Sequence, residues 1–251
     1  NYIEIEDFGE KTLFKILKNT SGNKKWIFKE IIFLLKKIQN IKITKIKNFK
    51  NLDYKIPIYT NRLLFDEANI FCKWYVPNII KKDRILSFNK KMRKEIRFLL
   101  SNIMQKNNIF VHRDFHVSNL LKYKKKIAII DNQDAVIGNR AYDLASLIDD
   151  VRFKTPIELK RLIYEYYLKI NKIDVNKNLF QNDFEILSIL RNLKIIGIFT
   201  RLAVRDKKKT YKKLIPYSWK LIELRLDNNS LFKGMKNLLD ANFSKKIRMK
   251  K

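Results

Sequence analysis

Val111-His112-Arg113-Asp114-Phe115-His116-Val117-Ser118-Asn119-Leu120, followed after a lysine-rich stretch by Ile129-Ile130-Asp131, is the part of the chain whose reading decides the fold. Asp114, Asn119 and Asp131 carry hard oxygens, and the pattern puts them on a loop and beside a short hairpin, where polar side chains converge on a cleft. Phosphoryl transfer needs such a set: one carboxylate to accept the proton of the attacking hydroxyl, and oxygen ligands for Mg²⁺ bridging nucleotide phosphates. The spacing H-R-D-x-x-x-x-N is complete, and an Asp at the end of the next apolar strand fits the second metal ligand. Taken singly, Asp and Asn read as turn residues bonded to local backbone, and His112 alone reads as a structural histidine. The ordered set ahead of a strand ending in Asp is what makes the signal specific.

Outward from this segment, Ile109-Phe110-Val111 is a short β-type stretch, and Asn119-Leu120-Leu121 pairs in prospect with residues 127–130 across a lysine-rich turn at 122–126. Helical periodicity fills the rest. Ile27, Ile31, Leu34, Leu35 and Ile38 share one face, and Leu64, Ala68, Phe71 and Tyr75 repeat the spacing. Phe88, Met92, Ile96, Leu99, Leu100 and Ile103 form a third apolar face with charges opposite. Thr155-Pro156-Ile157-Glu158 predicts a helix start with Thr155 as N-cap and Glu158 closing a capping box. From Phe184 to Val204 apolar residues lie nearly all round, which predicts a central helix. No internal repeat and no Gly/Ser linker interrupts the chain, so one globular unit, or two closely joined, is expected.

Composition narrows the class. The 251 residues include 46% apolar side chains but only 5 Gly and 4 Pro, which excludes a disordered or fibrous chain. One cysteine, Cys72, makes no internal disulfide, and no apolar run approaches the roughly 18 residues of a membrane span. A soluble, cytoplasmic protein with no membrane partner is the expectation. The formal charge of +30 attracts phosphate backbones in principle. Its lysines are scattered in short groups, Ile and Asn are enriched beside them, and aromatic residues do not interleave with them as on a base-stacking surface. That is the imprint of an AT-rich coding sequence, so no nucleic-acid partner is expected.

Four stretches together resemble a known family: His112-Arg113-Asp114-Phe115-His116; Asp131-Asn132-Gln133-Asp134-Ala135-Val136-Ile137-Gly138; Tyr142-Asp143-Leu144-Ala145-Ser146-Leu147; and Arg191-Asn192-Leu193-Lys194-Ile195-Ile196-Gly197-Ile198-Phe199. The chain is similar to the aminoglycoside phosphotransferase and choline kinase-like superfamily, which shares the protein-kinase catalytic core. Within it the nearest likeness is to bacterial anomeric kinases of N-acetylmuramate and N-acetylglucosamine, which serve cell-wall recycling. The resemblance implies a mainly α fold with a small β-hairpin, that of a protein-kinase-like C-terminal lobe, with ATP and Mg²⁺ as cofactors and a small-molecule acceptor, a sugar hydroxyl first. It makes Asp114 the catalytic base, Asn119 and Asp131 the Mg²⁺ ligands, and His112 a support for the catalytic loop. Asp143, at a helix start, either caps that helix or holds the same loop. Asn132 departs from the family, which usually has an aromatic residue after the metal-binding Asp.

The phosphate-covering loop and strand lysine of such kinases are not found upstream of the motif. Residues 2–9 look like the last strand of an N-terminal lobe and the hinge, so residues 1–10 are expected to end that lobe, with Glu6, Asp7 and Phe8 at the nucleotide, and residues 11–251 to form the helical catalytic lobe of a longer kinase. Along residues 184–205, Arg191, Lys194, Arg201 and Arg205 fall in one sector of roughly 80°. A solvated stripe is the plain reading. The alternative is that Arg191 and Arg201, with Asp134, contact the substrate, because a guanidinium fork suits a carboxylate such as that of muramic acid. Rival acceptors of the same fold are aminoglycosides, choline and other amino alcohols, and these cations call for a more acidic cleft. A rival of another class is a non-catalytic remnant that binds a partner or nucleic acid.

Overall fold

The computed structural model describes residues 6–20, 22, 24–42, 45–48, 50–172 and 177–250. In chain order its helices are α1 (Leu13–Asn19), α2 (Lys25–Gln39), α3 (Asn61–Ala68), α4 (Lys82–Ser101), α5 (Ala141–Ile148), α6 (Ile157–Ile170), α7 (Lys177–Val204), α8 (Ile215–Leu226), α9 (Lys233–Asn242) and α10 (Lys245–Arg248). The strands are β1 (Lys45–Lys47), β2 (Asp53–Lys55), β3 (Ile109–Val111), β4 (Leu120–Tyr123), β5 (Lys126–Ile129) and β6 (Val136–Gly138). They pair antiparallel as β1 with β2, β3 with β6 and β4 with β5. The mainly helical expectation with a small hairpin holds. Of residues 2–9, read as the last strand of an N-terminal lobe and the hinge, residues 2–5 lie outside the described residues and 6–9 form no strand. No described helix is long and apolar enough to cross a membrane.

The chain divides into two compact units, each built from two sequence segments: residues 1–58 with 106–177, and residues 59–105 with 178–251. In the first unit, α2 buries Ile27, Phe28, Ile31, Ile32 and Leu35 and packs along α6, whose Ile163 and Tyr167 have no exposed surface. Every residue of α5 is buried. The far end of α5 is tied to α6 by Lys160, whose ammonium donates to the Ile148 carbonyl and to Asp149 at 2.7 Å. At its near end, Gln39 Nε2 donates to the carbonyl of Arg140 at 2.9 Å. A small polar residue starts α1, where Thr12 Oγ1 accepts from the amide of Lys15. The capping box expected at residues 155–158 is not formed. Pro156 takes the N-cap position in extended conformation with no side-chain cap, and the Thr155 hydroxyl donates backwards to the Phe153 carbonyl at 3.3 Å.

In the second unit, α7 is buried on almost every face, as its sequence requires. At about 1.5 Å per residue its 28 residues run some 42 Å. The face read at Leu64, Ala68, Phe71 and Tyr75 is buried, but it is not one α-helix: α3 stops at Ala68 and Phe71–Tyr75 is a π-helical turn. Helix α4 stops at Ser101, short of Ile103, and the chain beyond it is caught by the buried carboxylate of Asp183, which accepts from the amides of Met104 and Gln105 at 2.8 and 2.9 Å. Gly197 lets the backbone of α7 touch the π-helical segment: a Cβ there would stand 2.5 Å from the Ile70 carbonyl carbon and 2.6 Å from the Phe71 nitrogen. Backbone cannot step aside as a flexible side-chain end can. Gly197→Ala should therefore destabilise the fold by about 1–3 kcal/mol, the usual cost of overpacking, read as a lower midpoint in thermal or urea unfolding.

Candidate active site

The catalytic motif is positioned by two strand pairs. Strand β3 delivers the chain to His112 and pairs with β6 so that Val111 faces Val136. Strands β4 and β5 pair with Leu120 opposite Ile129, which sets Asn119 beside Ile130. The two peptide groups that flank the Ile130 side chain are both held: the Ile130 N–H donates to the Asn119 carbonyl at 3.1 Å, and His112 Nε2 bonds the Ile130 carbonyl at 3.0 Å. Asp131 follows with φ of 62° and an exposed side chain. A left-handed conformation is uncommon for a residue with a Cβ, so the lock on Ile130 is what aims this carboxylate.

Within the loop, Asn119 Nδ2 donates to the Asp114 carbonyl at 3.1 Å, and the His116 amide donates to the same oxygen at 3.0 Å. Phe115 and Val117 are buried anchors, while Asp114 between the buried His112 and Phe115 is exposed. The whole turn hangs from Asp143. This carboxylate has no exposed surface; Oδ2 accepts from the His112 amide at 2.7 Å and Oδ1 from the Arg113 amide at 3.0 Å. Of the two readings of Asp143, it is the loop that the carboxylate holds. Arg113 has φ of 73°, and its Nη1 donates to the Asp134 carbonyl at 3.1 Å. Nothing in apolar periodicity marks Arg113 as a bracket between the two loops; its place inside the H-R-D spacing is the only signal.

The structure therefore brings His112, Asp114, Asn119, Asp131 and Asp143 into one hydrogen-bonded segment, with Asp134 at its edge. Asn119 commits its amide nitrogen to the loop, which leaves Oδ1 as an acceptor, and Asp131 offers a carboxylate. Both are hard donors of the kind Mg²⁺ takes. Among the described residues no group of three or more His, Cys, Asp or Glu forms a metal cage. Glu6, Asp7 and Phe8 lie at the other end of the β4–β5 hairpin. Glu6 Oε1 accepts from the Tyr123 hydroxyl at 2.8 Å, a bond that raises the Tyr123 pKa. The Phe8 ring meets Tyr123 edge-on at 5.2 Å, and Asp7 turns back to accept from the Gly9 amide at 2.7 Å.

Arg191 and Arg201 are on α7, in the other unit, and the solvated stripe is corrected there. Arg191 is only 5% exposed, and its Nη1 finds no hydrogen-bond partner among the described residues. Lys194 is largely buried and paired with Glu67 at 2.8 Å. Arg201 is half-buried, and Arg205 alone is an exposed cation, paired with Asp206 at 2.7 Å. Helix α7 is covered on nearly all sides, so a cationic face on it has little solvent to meet.

His112 titrates below its ordinary value. Burial is the main cause, opposed by the bond to the Ile130 carbonyl and the charges of Asp114 and Asp131. The neutral ring donates from Nε2 and leaves Nδ1 bare. Because the folded pKa is depressed, the unfolded chain binds the proton first: this contribution to stability is full above about pH 6.5 and is lost as pH falls below it. His112→Gln keeps a donor without the titration, so the difference in unfolding free energy between pH 7.5 and 5.5 should be smaller for the variant than for the wild type in urea titrations.

Residues 27–177 match the family described as phosphotransferase enzyme family. The N-acetylmuramate/N-acetylglucosamine kinase of Neisseria meningitidis is 30% identical over 166 residues, covering 64% of this chain and 50% of that protein. The enzyme of that name from Pseudomonas putida is 24% identical over 220 residues, covering 86% of this chain and 62% of its own length. The chain thus spans between half and two thirds of these curated relatives. Among solved structures, an ethanolamine kinase from Plasmodium vivax superposes with a TM-score of 0.56 at 17% identity, over 88% of this chain and 64% of that one, a likeness of fold. With the segment from His112 to Asp143 lying inside the matched residues, the chain belongs to the phosphotransferase enzyme family, in a protein-kinase-like fold.

Proposed function

We propose that this protein transfers the γ-phosphate of ATP to a sugar hydroxyl, with N-acetylmuramate and N-acetylglucosamine as acceptors. The observation that carries the reading is the single hydrogen-bonded segment that presents Asp114, Asn119 and Asp131. In this reading Asp114 orients the acceptor hydroxyl and takes its proton. Its exposure and the fixed backbone on both sides of it support that role, since phosphoryl transfer rests mainly on positioning and electrostatics. Asn119 Oδ1 and the Asp131 carboxylate hold Mg²⁺, which, when bound, neutralises charge on the nucleotide phosphates. Glu6, Asp7 and Phe8 belong to the nucleotide side. Asp134, Arg191 and Arg201 belong to the acceptor side. For Arg191 the support is its burial together with an unpartnered guanidinium nitrogen, a costly state that an anionic ligand relieves.

The deciding experiment is ADP release from Mg²⁺-ATP with each sugar, and with choline and an aminoglycoside as competing acceptors. Turnover with the sugars is the expected result. Turnover confined to the cationic acceptors, or none together with salt-dependent retention on nucleic acid, overturns the reading.

Two sets of variants separate the roles. Asp114→Asn should lower kcat about 10²- to 10⁴-fold, the range for losing a general base, with Mg²⁺-ATP binding retained in calorimetric titration. Asp131→Ala should weaken Mg²⁺-ATP binding as well as turnover. For the acceptor, Arg191→Ala should reduce kcat/KM for N-acetylmuramate by about ten- to a hundredfold, the loss of a charged hydrogen bond. N-acetylglucosamine, which has no carboxylate, should change little, and equal losses on both sugars would remove Arg191 from the acceptor site.

A further inference from the structure

We infer that Gln39, at the end of α2, is a positioning residue for the catalytic loop, acting through the first turn of α5 and the carboxylate of Asp143. Gln39 is 2% exposed and Tyr167 has no exposed surface. The Tyr167 hydroxyl donates to Gln39 Oε1 at 2.6 Å, and Gln39 Nε2 donates to the Arg140 carbonyl at 2.9 Å. Burial pushes the Tyr167 pKa up, so its hydroxyl keeps its proton and remains a donor. The Arg140 carbonyl can only accept, so it fixes the orientation of the amide: nitrogen toward Arg140, and oxygen toward the Tyr167 hydroxyl that donates to it.

Arg140 is the residue from which α5 starts, and Asn139 Oδ1 accepts from the Ala141 amide at 2.9 Å beside it. Asp143 stands in that first turn and holds the amides of His112 and Arg113. Hydrogen bonds on either side of the first turn of α5 therefore link α6 and α2, through that turn, to the backbone that carries Asp114. The α2–α6 pair is the most extensively packed helix pair of this unit, which makes it a rigid reference for the turn that Asp143 holds. Gln39 acts on Arg140 and Tyr167, not on nucleotide or acceptor. It fixes where α5 begins, and so where the Asp143 carboxylate stands.

The test uses Gln39→Met, which keeps length, helix propensity and an apolar fit while removing both polar ends, and Tyr167→Phe, which removes only the hydroxyl. Amide hydrogen exchange is read at His112 and Arg113, with Ile31 and Leu35 as controls for general loosening. Faster exchange at the two loop amides by about 10-fold or more, with the controls unchanged, is the expected result. The turnover arm alone rests on the proposed phosphotransfer. There Gln39→Met should lower kcat by roughly 3- to 30-fold with KM for Mg²⁺-ATP nearly unchanged, and should add little to the loss already caused by Asp143→Asn, because both act through one carboxylate. Unchanged exchange at His112 and Arg113, or losses that add fully in the double variant, overturns the inference. A wild-type protein without turnover on any acceptor would sink the proposed function instead, and the exchange data would still judge Gln39. Should Gln39→Met fail to fold, Tyr167→Phe decides: exchange at the loop amides that matches wild type overturns the relay.

Discussion

A carboxylate sealed from solvent and facing two backbone N–H groups is the interaction on which the site depends. Desolvating such a charge costs several kcal/mol, and what offsets the cost at Asp143 is a pair of charge-assisted hydrogen bonds to consecutive amides. The pair also does geometric work. Arg113 sits at positive φ, a conformation that costs an L-residue about 1–2 kcal/mol, and the two bonds hold its peptide there. Because the next residue is Asp114, the strain and its restraint fix the direction in which the exposed carboxylate leaves the loop.

The same logic extends to the second loop. Ile130 is apolar and makes its contribution through its backbone, with its N–H on the Asn119 carbonyl and its C=O on His112. Its neighbour Asp131 is the second residue of the site at positive φ. Both strained positions lie directly beside a chemistry-bearing carboxylate or carry one, as expected where surrounding structure over-determines a functional turn. Burial lowers the His112 pKa in this arrangement, even though its bond to the Ile130 carbonyl and the charges of Asp114 and Asp131 pull the other way.

Much of this was legible in the sequence, and the part that was not has a common physical character. Apolar spacing located α2, α4 and α7 because burial of side chains is a periodic property, and the H-R-D-x-x-x-x-N spacing located the loop because chemistry demands particular side chains. Spacing did not reveal the π-helical turn at Phe71–Tyr75, whose i, i+4 pattern is satisfied by an α-helix equally well. At residues 155–158 the capping box was written in the local sequence, yet Pro156 in extended conformation displaced the start by a residue. The cationic sector of α7 was correct as angular geometry and wrong as a solvated face, because whether Arg191 and Lys194 meet water is decided by other chain segments. Gln39 carried no signal at all: one glutamine at the end of an amphipathic helix gains meaning only from Tyr167 and Arg140, more than a hundred positions away.

The division into two units, each assembled from two separated stretches of chain, sets the order in which the protein takes shape on the ribosome. Residues 1–58 find their partners only when 106–177 have emerged, so the unit that bears the catalytic loop closes first. Residues 59–105, including the apolar face of α4 with Met92, Ile96 and Leu99, emerge earlier than 106–177 but wait for 178–251 before that face is covered. Contacts that span such intervals are slow to form, and apolar surface left waiting is open to wrong association. The interleaved chain order thus leaves the segment between the two halves of the first unit without its own second half while residues 106–177 are made. The charges opposite its apolar face, Lys90, Lys91 and Lys94 among them, keep the waiting helix in solution until α9 arrives to pack on it.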